Sequence, residues 1–416
     1  MLDPELLRRD FAAVAANLRR RGPPPDAEEF ARLESRRRET QRDAESLRGE
    51  RNRRAKSGAR PAPADAAESK NRLRAAEAEM RDARAQLDDY LLRLPNLLHD
   101  SVPEGEDETA NAEVSRWGEM PSFSFQALDH VALGARMRMM DFDSAAAMAA
   151  ARFVVLTGDL SRMHRALAQF MLDLHTREHG YVEHYLPHLA NARAMTGAGQ
   201  LPKFAGEVFF ADADSLYLIP TAEVALVNMA RARVWDAAEL PLRLAAHTAC
   251  YRREAGAYGK DTRGMLRQHQ FDKVELVQMR APEDSYAGLE EMRGHAERVL
   301  RLLELPYRVV VLCAGDTGFA AAKTYDLEVW MPGQNRYREI SSCSNCGAFQ
   351  SRRLNARCRA ADGDAAHIHM LNGSGVAVGR ALIAVLENHQ REDGAVRVPP
   401  PLVPYMGGRE WIGATN

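Results

Sequence analysis

The chain has 416 residues, 45% hydrophobic and 27% charged, which is too long for one ordinary domain and points to two or three soluble units with sizeable cores. The N-terminus MLDPELLRRD is charged from its third residue, no apolar run approaches the roughly 20 residues that span a bilayer, and five cysteines argue against a disulfide framework. These features exclude a secreted or membrane-spanning reading and lead us to expect a cytoplasmic protein; a net charge of -2 excludes nothing, since positive charge can be concentrated locally.

From about Asp26 to Arg93 the chain is rich in Arg, Glu and Ala and poor in aromatics. Both halves read as helix, broken by SGARPAPAD at Ser57 to Asp65. Leu73, Ala76, Met80, Ala83, Leu87 and Tyr90 recur at alternating spacings of three and four, as a coiled-coil seam requires. Phe30, Leu33, Thr40, Ala44 and Leu47 keep that spacing in the first half, although Arg37, Arg51 and Arg54 also fall on it. An antiparallel hairpin is expected, projecting as an arm about 40 Å long at about 1.5 Å per residue. Between Ala31 and Arg60, ten arginines and Lys56 stand against five acidic residues. Such a stripe is either a solvated helix face or a surface for phosphate backbones. LPNLLHDSVPEGEDE, Leu94 to Glu108, reads as the linker, giving an N-terminal unit over 1–105 and a second over 106–416.

Beyond the linker, short strand-like runs alternate with helices. Ser161 to Gly180 predicts an amphipathic helix with Met163, Leu167, Phe170, Met171 and Leu174 on one face and Gly180 able to cap it; the strand-like YVEHYL follows, ended by Pro187. Ala249 to Gln278 reads as two strands joined by a long loop containing Gly256, Gly259 and Gly264. Strand alternation would put Arg252 and Glu254 on one face, and Phe271, Lys273 and Glu275 on one face of the returning strand. These could be ordinary exposed strand charges beside a core Phe; if the two faces coincide, they form a charged surface with an aromatic ring.

The pattern Y-R-x-E, a loop, then Arg267-x-x-x-Phe271 resembles motif 2 of the class II aminoacyl-tRNA synthetases. NGSGVAVGRALIAVLENHQ, Asn372 to Gln390, resembles their motif 3, and the Ser161 to Pro187 unit their motif 1, which in this family forms the dimer interface. TAEV at Thr221, GAGQLPKF at Gly197, QFDKVE ending at Glu275 and EISSCSN at Glu339 are similar to seryl-tRNA synthetases of the bacterial type, and the resemblance covers nearly the whole chain.

The resemblance implies an α+β architecture, a helical arm followed by a catalytic domain on a mostly antiparallel sheet. It implies activation of L-serine with ATP and transfer to the 3′ end of serine tRNA, with a selenocysteine tRNA as a further acceptor. Arg252 would grip the α-phosphate and the serine carboxylate, with Arg253 beside it. Glu254 would read the adenine amino group, Phe271 stack on adenine, and Arg267 and Arg380 hold the terminal phosphate. Thr221, Ala222, Glu223, Glu275 and Ser374 would form the serine pocket. Glu339 and Ser342 would hold Mg²⁺, with Ile340 and Ser341 completing the ATP-binding strand; alternation alone would set Glu339 and Ser342 on opposite faces, so a bend near Ser341 is expected. Thr221 and Glu223, by contrast, share a face on alternation.

Implied partners are ATP, L-serine, a second copy of the chain, and the long variable arm of serine tRNA met by the helical arm. Cys343-x-x-Cys346 with Cys358, His367 and His369 can be read as a zinc site. Cys343 lies beside the implied Mg²⁺ residues, and the bacterial-type family uses no structural zinc, so none is expected. Cys346-Gly347-Ala348 departs from the bulkier residues of the family pattern, as do, in a smaller way, Ala249 and Met370. Two rival readings are a paralogue supplying activated serine to biosynthesis or antibiotic resistance, and a non-catalytic RNA-binding descendant. Paralogues that charge another acceptor, such as a carrier protein, lack the arm, and a non-catalytic descendant would have lost motif residues; this chain keeps both, which leaves open a duplicate copy serving biosynthesis or resistance.

Overall fold

The structure, a computed structural model, describes residues 1–57, 62–256, 263–359, 363 and 365–413. Residues 58–61 of the expected Pro-rich turn and Gly259 of the expected hairpin loop lie outside these. The chain divides into two units, Met1–Pro95 and Asn96–Asn416.

The first unit is all helical. Two short helices, α1 (Pro4–Arg9) and α2 (Phe11–Arg19), precede two long ones, α3 (Ala27–Lys56) and α4 (Pro63–Arg93). Asp26 starts α3 by accepting the backbone N–H groups of Glu28 and Glu29, and Pro63 opens α4 at a position where no N–H is needed. The tie between Tyr90 Oη and the Asp26 carbonyl joins the start of α3 to the end of α4, while Arg48 meets Glu77 farther along, so the pair is antiparallel. Phe30, Leu33 and Ala44 are buried with Leu73, Ala83, Leu87 and Tyr90, the residues of the expected seam; Ala76 and Met80 are half-buried. Arg37 also falls on that seam, but its guanidinium turns to Glu34 of its own helix.

The second unit is built on an eight-stranded sheet: β1 (Ala112–Trp117), β2 (Val182–Glu183), β3 (Leu242–Tyr251), β4 (Gln270–Arg280), β5 (Tyr307–Val311), β6 (Lys323–Met331), β7 (Arg336–Asn345) and β8 (His369–Ala377). Their spatial order is β1-β5-β6-β7-β8-β4-β3-β2, antiparallel throughout except where β2 meets β3. Helix α5 (Gly158–Arg177) buries Met163, Leu167, Phe170, Met171 and Leu174 in the main core. It ends at Arg177, before the expected cap; Gly180, at φ +69°, turns the chain three residues later. The expected strand YVEHYL shrinks to Val182 and Glu183, after which Tyr185 is fully exposed. Helices α6 (Glu223–Asn228), α7 (Ser285–Leu302) and α8 (Val378–Asn388) complete the frame, α8 buried along nearly its whole length. Among the described residues no helix is long and apolar enough to cross a membrane.

Candidate active site

The hairpin of β3 and β4 pairs without interruption from Phe271↔Cys250 to Met279↔Leu242. Its period of two sends Phe271, Lys273 and Glu275 into a cleft, while Val274 and Leu276 enter the core beneath. Arg252 and Glu254 reach the same cleft by a different route from the expected one. Strand β3 stops at Tyr251, so alternation no longer applies to them. Glu254 is turned inward by a left-handed backbone (φ +50°), and its carboxylate accepts from Arg267 Nη1 at 3.2 Å. The Arg252 guanidinium lies over the Phe271 ring, 5.1 Å from its centroid, and its Nε donates to the Pro220 carbonyl. Arg253 does not join them: it is exposed and outside the cleft lining.

One end of the cleft is a compact polar pocket. Lys273 Nζ donates to Thr221 Oγ1 at 3.0 Å and contacts the Glu275 carboxylate directly; Thr221 Oγ1 in turn donates to Glu275 Oε2 at 3.1 Å. Thr221 and Glu223 share this pocket through a turn into α6, not through strand alternation, with the Glu223 backbone N–H donating to Thr221 Oγ1. Ala222 between them is fully buried in the core under the pocket. Glu223 Oε1 accepts from Gln350 Nε2 at 2.5 Å and from Asn372 Nδ2 at 3.1 Å. Its enclosure, then the neighbouring Glu275 charge, push its carboxyl up to about 7. Ser374 on β8 stands opposite Glu275 and closes the pocket.

The other end is set by a bulge. On β6 Leu327 and Glu328 are adjacent, but they pair with Ser341 and Glu339 of β7, so Ile340 is an extra residue. This is the expected bend, and it brings Glu339 and Ser342 into the cleft together with Ile340. Ser341 faces away, its hydroxyl donating to the Ser374 carbonyl at 2.5 Å. Arg380, third residue of α8, lies 3.2 Å from Glu339 Oε2 and donates to the Glu339 carbonyl at 2.7 Å. Partial desolvation works against the Glu339 charge, although its side chain is 49% exposed, and the Arg380 guanidinium, backed by Arg252 and Arg267, overrides it and holds the carboxyl below its usual value. Asp326, paired across the ladder with Ser342, goes the other way: enclosure and the Glu339 charge push it well up. The carboxylate of Glu339 and hydroxyl of Ser342 are hard oxygen donors of the kind Mg²⁺ takes.

Comparison with known proteins decides the family. A profile described as the seryl-tRNA synthetase N-terminal domain matches residues 1–98, and one described as the class II tRNA synthetase core domain (G, H, P, S and T) matches 208–389. The serine–tRNA ligase of Pseudomonas syringae pv. syringae (strain B728a) is 53% identical, covering 99% of this chain and all of the relative. The chain belongs to the seryl-tRNA synthetases. Among solved structures, the seryl-tRNA synthetase of Pyrococcus horikoshii complexed with ATP superposes with a TM-score of 0.89 at 35% identity, covering 99% of both chains. The cytoplasmic enzyme of Naegleria fowleri in complex with AMP superposes with a TM-score of 0.86 at 30% identity, covering 100% of this chain and 99% of that one.

In this member of the seryl-tRNA synthetases the cleft also holds residues to which sequence reasoning gave no role: Gln200, Lys273 and Asn372. Alternation sets Lys273 on one face with Phe271 and Glu275, without giving it a role; Gln200 and Asn372 lie in segments that carry the resemblance, but reach the pocket from separate parts of the chain, so their meeting there has no local signal. The cysteines of the alternative zinc reading diverge. Cys343 is buried in the core, its thiol pushed up to about 12 by burial, whereas Cys346 Sγ accepts from Asn372 Nδ2 at 3.4 Å. His367 turns to the Ala356 carbonyl and His369 to Ser285 Oγ.

Proposed function

We propose that this cleft activates L-serine with Mg·ATP and passes the seryl group to the 3′-terminal ribose of serine tRNA, in the cytoplasm. The reading is carried by one observation: a chain of this family keeps cations and an aromatic ring at one end of a cleft and a polar pocket of Thr221, Glu223, Glu275 and Ser374 at the other. A serine carboxylate oxygen attacks the α-phosphorus, the bond to the β-phosphate oxygen breaks, and pyrophosphate leaves with the electron pair. The ribose hydroxyl then attacks the acyl carbon, loses its proton, and AMP departs.

Negative charge grows on the phosphoryl oxygens during the first step, and a fixed planar guanidinium, Arg252, stabilises it where it develops. Phe271 and Glu254 take adenine; Arg267 and Arg380 take the terminal phosphates. Glu339 and Ser342 would hold Mg²⁺, which offsets phosphate charge and orients the triphosphate. Residues built to pair a substrate hydroxyl reject alanine by leaving themselves unpaired, and threonine is rejected by lack of room for its methyl. Two copies joined through α5 and β2, and an N-terminal unit that meets the long variable arm of serine tRNA, complete the proposal, with division of labour near 105.

The test is exchange of pyrophosphate into ATP, without tRNA, across all amino acids, with Mg²⁺ and a mild zinc chelator present. Serine is expected to support exchange under these conditions. Stronger exchange with another amino acid would sink the assignment.

A further inference from the structure

Strand β8 carries a bulge beside the serine pocket. Glu275 pairs with Ser374 and Lys273 with Ala377, so β8 spends Gly375 and Val376 opposite Val274 alone. A bulge disturbs the ladder locally, and buried carbonyls there need a donor from elsewhere. The Gly375 carbonyl finds one in α5: His175, fully buried, places Nε2 2.8 Å from it. The imidazole packs so closely against this backbone that a Cβ on Gly375 would lie 2.6 Å from Nε2 and 3.0 Å from Leu276 Cγ, so no larger residue fits.

The proton's place on the ring follows from its partners. A carbonyl only accepts, so Nε2 carries hydrogen; burial keeps the ring neutral, and its Nδ1 then accepts from His179 Nδ1, 3.0 Å away. His179 is itself held by a parallel stack on His295 at 4.0 Å. The preceding carbonyl, that of Ser374, is gripped from β7 by Ser341 Oγ at 2.5 Å. Two consecutive carbonyls at the pocket wall are thus fixed by two elements that do not line the pocket with these side chains.

We infer that His175 is a positioning residue for serine recognition: its Nε2–H fixes the bulged Gly375 carbonyl and so sets where the Ser374 side chain stands opposite Glu275. This rests on the reading of that pocket as the serine site. His175 touches no substrate; it acts through the backbone of β8. The imidazole restrains the pocket wall at the serine end, whereas Phe271, Glu254 and Arg267 at the ATP end belong to the hairpin, so its loss is felt by serine before ATP.

The test compares His175→Gln, His175→Asn and His175→Leu in pyrophosphate exchange, with folding checked by circular dichroism. A glutamine amide nitrogen reaches the position of Nε2, and an asparagine one falls short. The Gln variant is expected to keep the serine KM within about threefold of the parent, while Asn and Leu raise it about tenfold or more with the ATP KM within about twofold. Gln and Asn are both polar and smaller than or close to His in size, so the comparison holds even if the Leu variant fails to fold. Equal serine KM values for Gln and Asn, or serine and ATP KM rising in step, would overturn the inference. The parent's own exchange separates the two claims. No serine-dependent exchange in the parent removes the serine-site reading and this inference with it; exchange in the parent with equal Gln and Asn variants overturns only the role of His175.

Discussion

Glu223 and Glu275 share one pocket with a single ammonium, and Lys273 spends that ammonium on Glu275. Glu223 is left with two amide donors, which stabilise its charge less than a cation does, and its carboxyl is accordingly pushed up to about 7 by enclosure and by Glu275. For the free protein a raised carboxyl is a cost of folding that grows as pH rises through about 7 and vanishes below the ordinary carboxylate value. A bound serine ammonium reverses the preference, favouring the ionised form. The serine KM in pyrophosphate exchange is therefore expected to rise as pH falls from 8 to 6, by about tenfold for a single proton, and Glu223→Gln should flatten that profile. A flat profile in the parent would place the titration elsewhere. Much of this pocket was legible in the sequence because QFDKVE is a strand whose alternation survives folding. Ala222, Ser341 and Arg253 were not, because a residue adjacent to a site residue faces the core, the opposite side of the strand or solvent, and local resemblance does not distinguish these.

The elements were legible where one period runs long enough. Helices α3 and α4 run for 30 and 31 residues, and their seam is buried or half-buried from Phe30 to Ala44 and from Leu73 to Tyr90, long enough that an Arg such as Arg37 on it does not mislead. The bulge at Ile340 and the one at Gly375 were not both foreseen, since a bulge is visible only in how one strand registers against another; the first was inferred solely from the need to bring Glu339 and Ser342 together. Within the arm, the sequence also hid a polar cluster. Glu34 is buried among Arg8 of α1 and Arg37 and Arg38 of its own helix, at 2.9, 2.8 and 3.0 Å. Burial alone would raise its carboxyl, yet the three guanidiniums hold it down at about 2. The resulting stabilisation is present above the ordinary carboxylate value and lost as pH falls toward about 2. Replacing Glu34 with Ala removes the acceptor that ties α1 to α3, at a cost of roughly 1–3 kcal/mol for lost bonds to charged groups. Denaturant unfolding followed by far-UV circular dichroism should show that loss in the helical N-terminal unit, and an unchanged midpoint would mean the cluster is merely solvated charge.

At the scale of the molecule, every residue proposed for chemistry lies in Asn96–Asn416, and none in Met1–Pro95. The N-terminal unit has its own buried residues, from Leu7 and Leu18 to Leu87 and Leu91, while the catalytic unit has two large cores of its own. Excess arginine on α3, including the exposed Arg32, Arg36, Arg42, Arg53 and Arg54, has no part in the cleft. Such charge suits contact with phosphates along an RNA arm, where recognition is mainly by backbone and shape. The packing also decides where a cut should fall: α1 and α2 pack with α3 through the Phe11–Phe30 stacking and the Arg8–Glu34 pair, so removing the two long helices alone would strand the first two. A chain beginning at Asn96 should therefore retain serine-dependent exchange of pyrophosphate into ATP while losing efficient charging of tRNA at low tRNA concentration. In the intact protein, charging should weaken as salt rises, because each neutralised phosphate releases counterions, whereas exchange should change little. Charging at the full rate without Met1–Pro95 would refute the role given to the arm. Loss of exchange in a truncated chain that is still folded would instead show that the N-terminal unit contributes to activation itself.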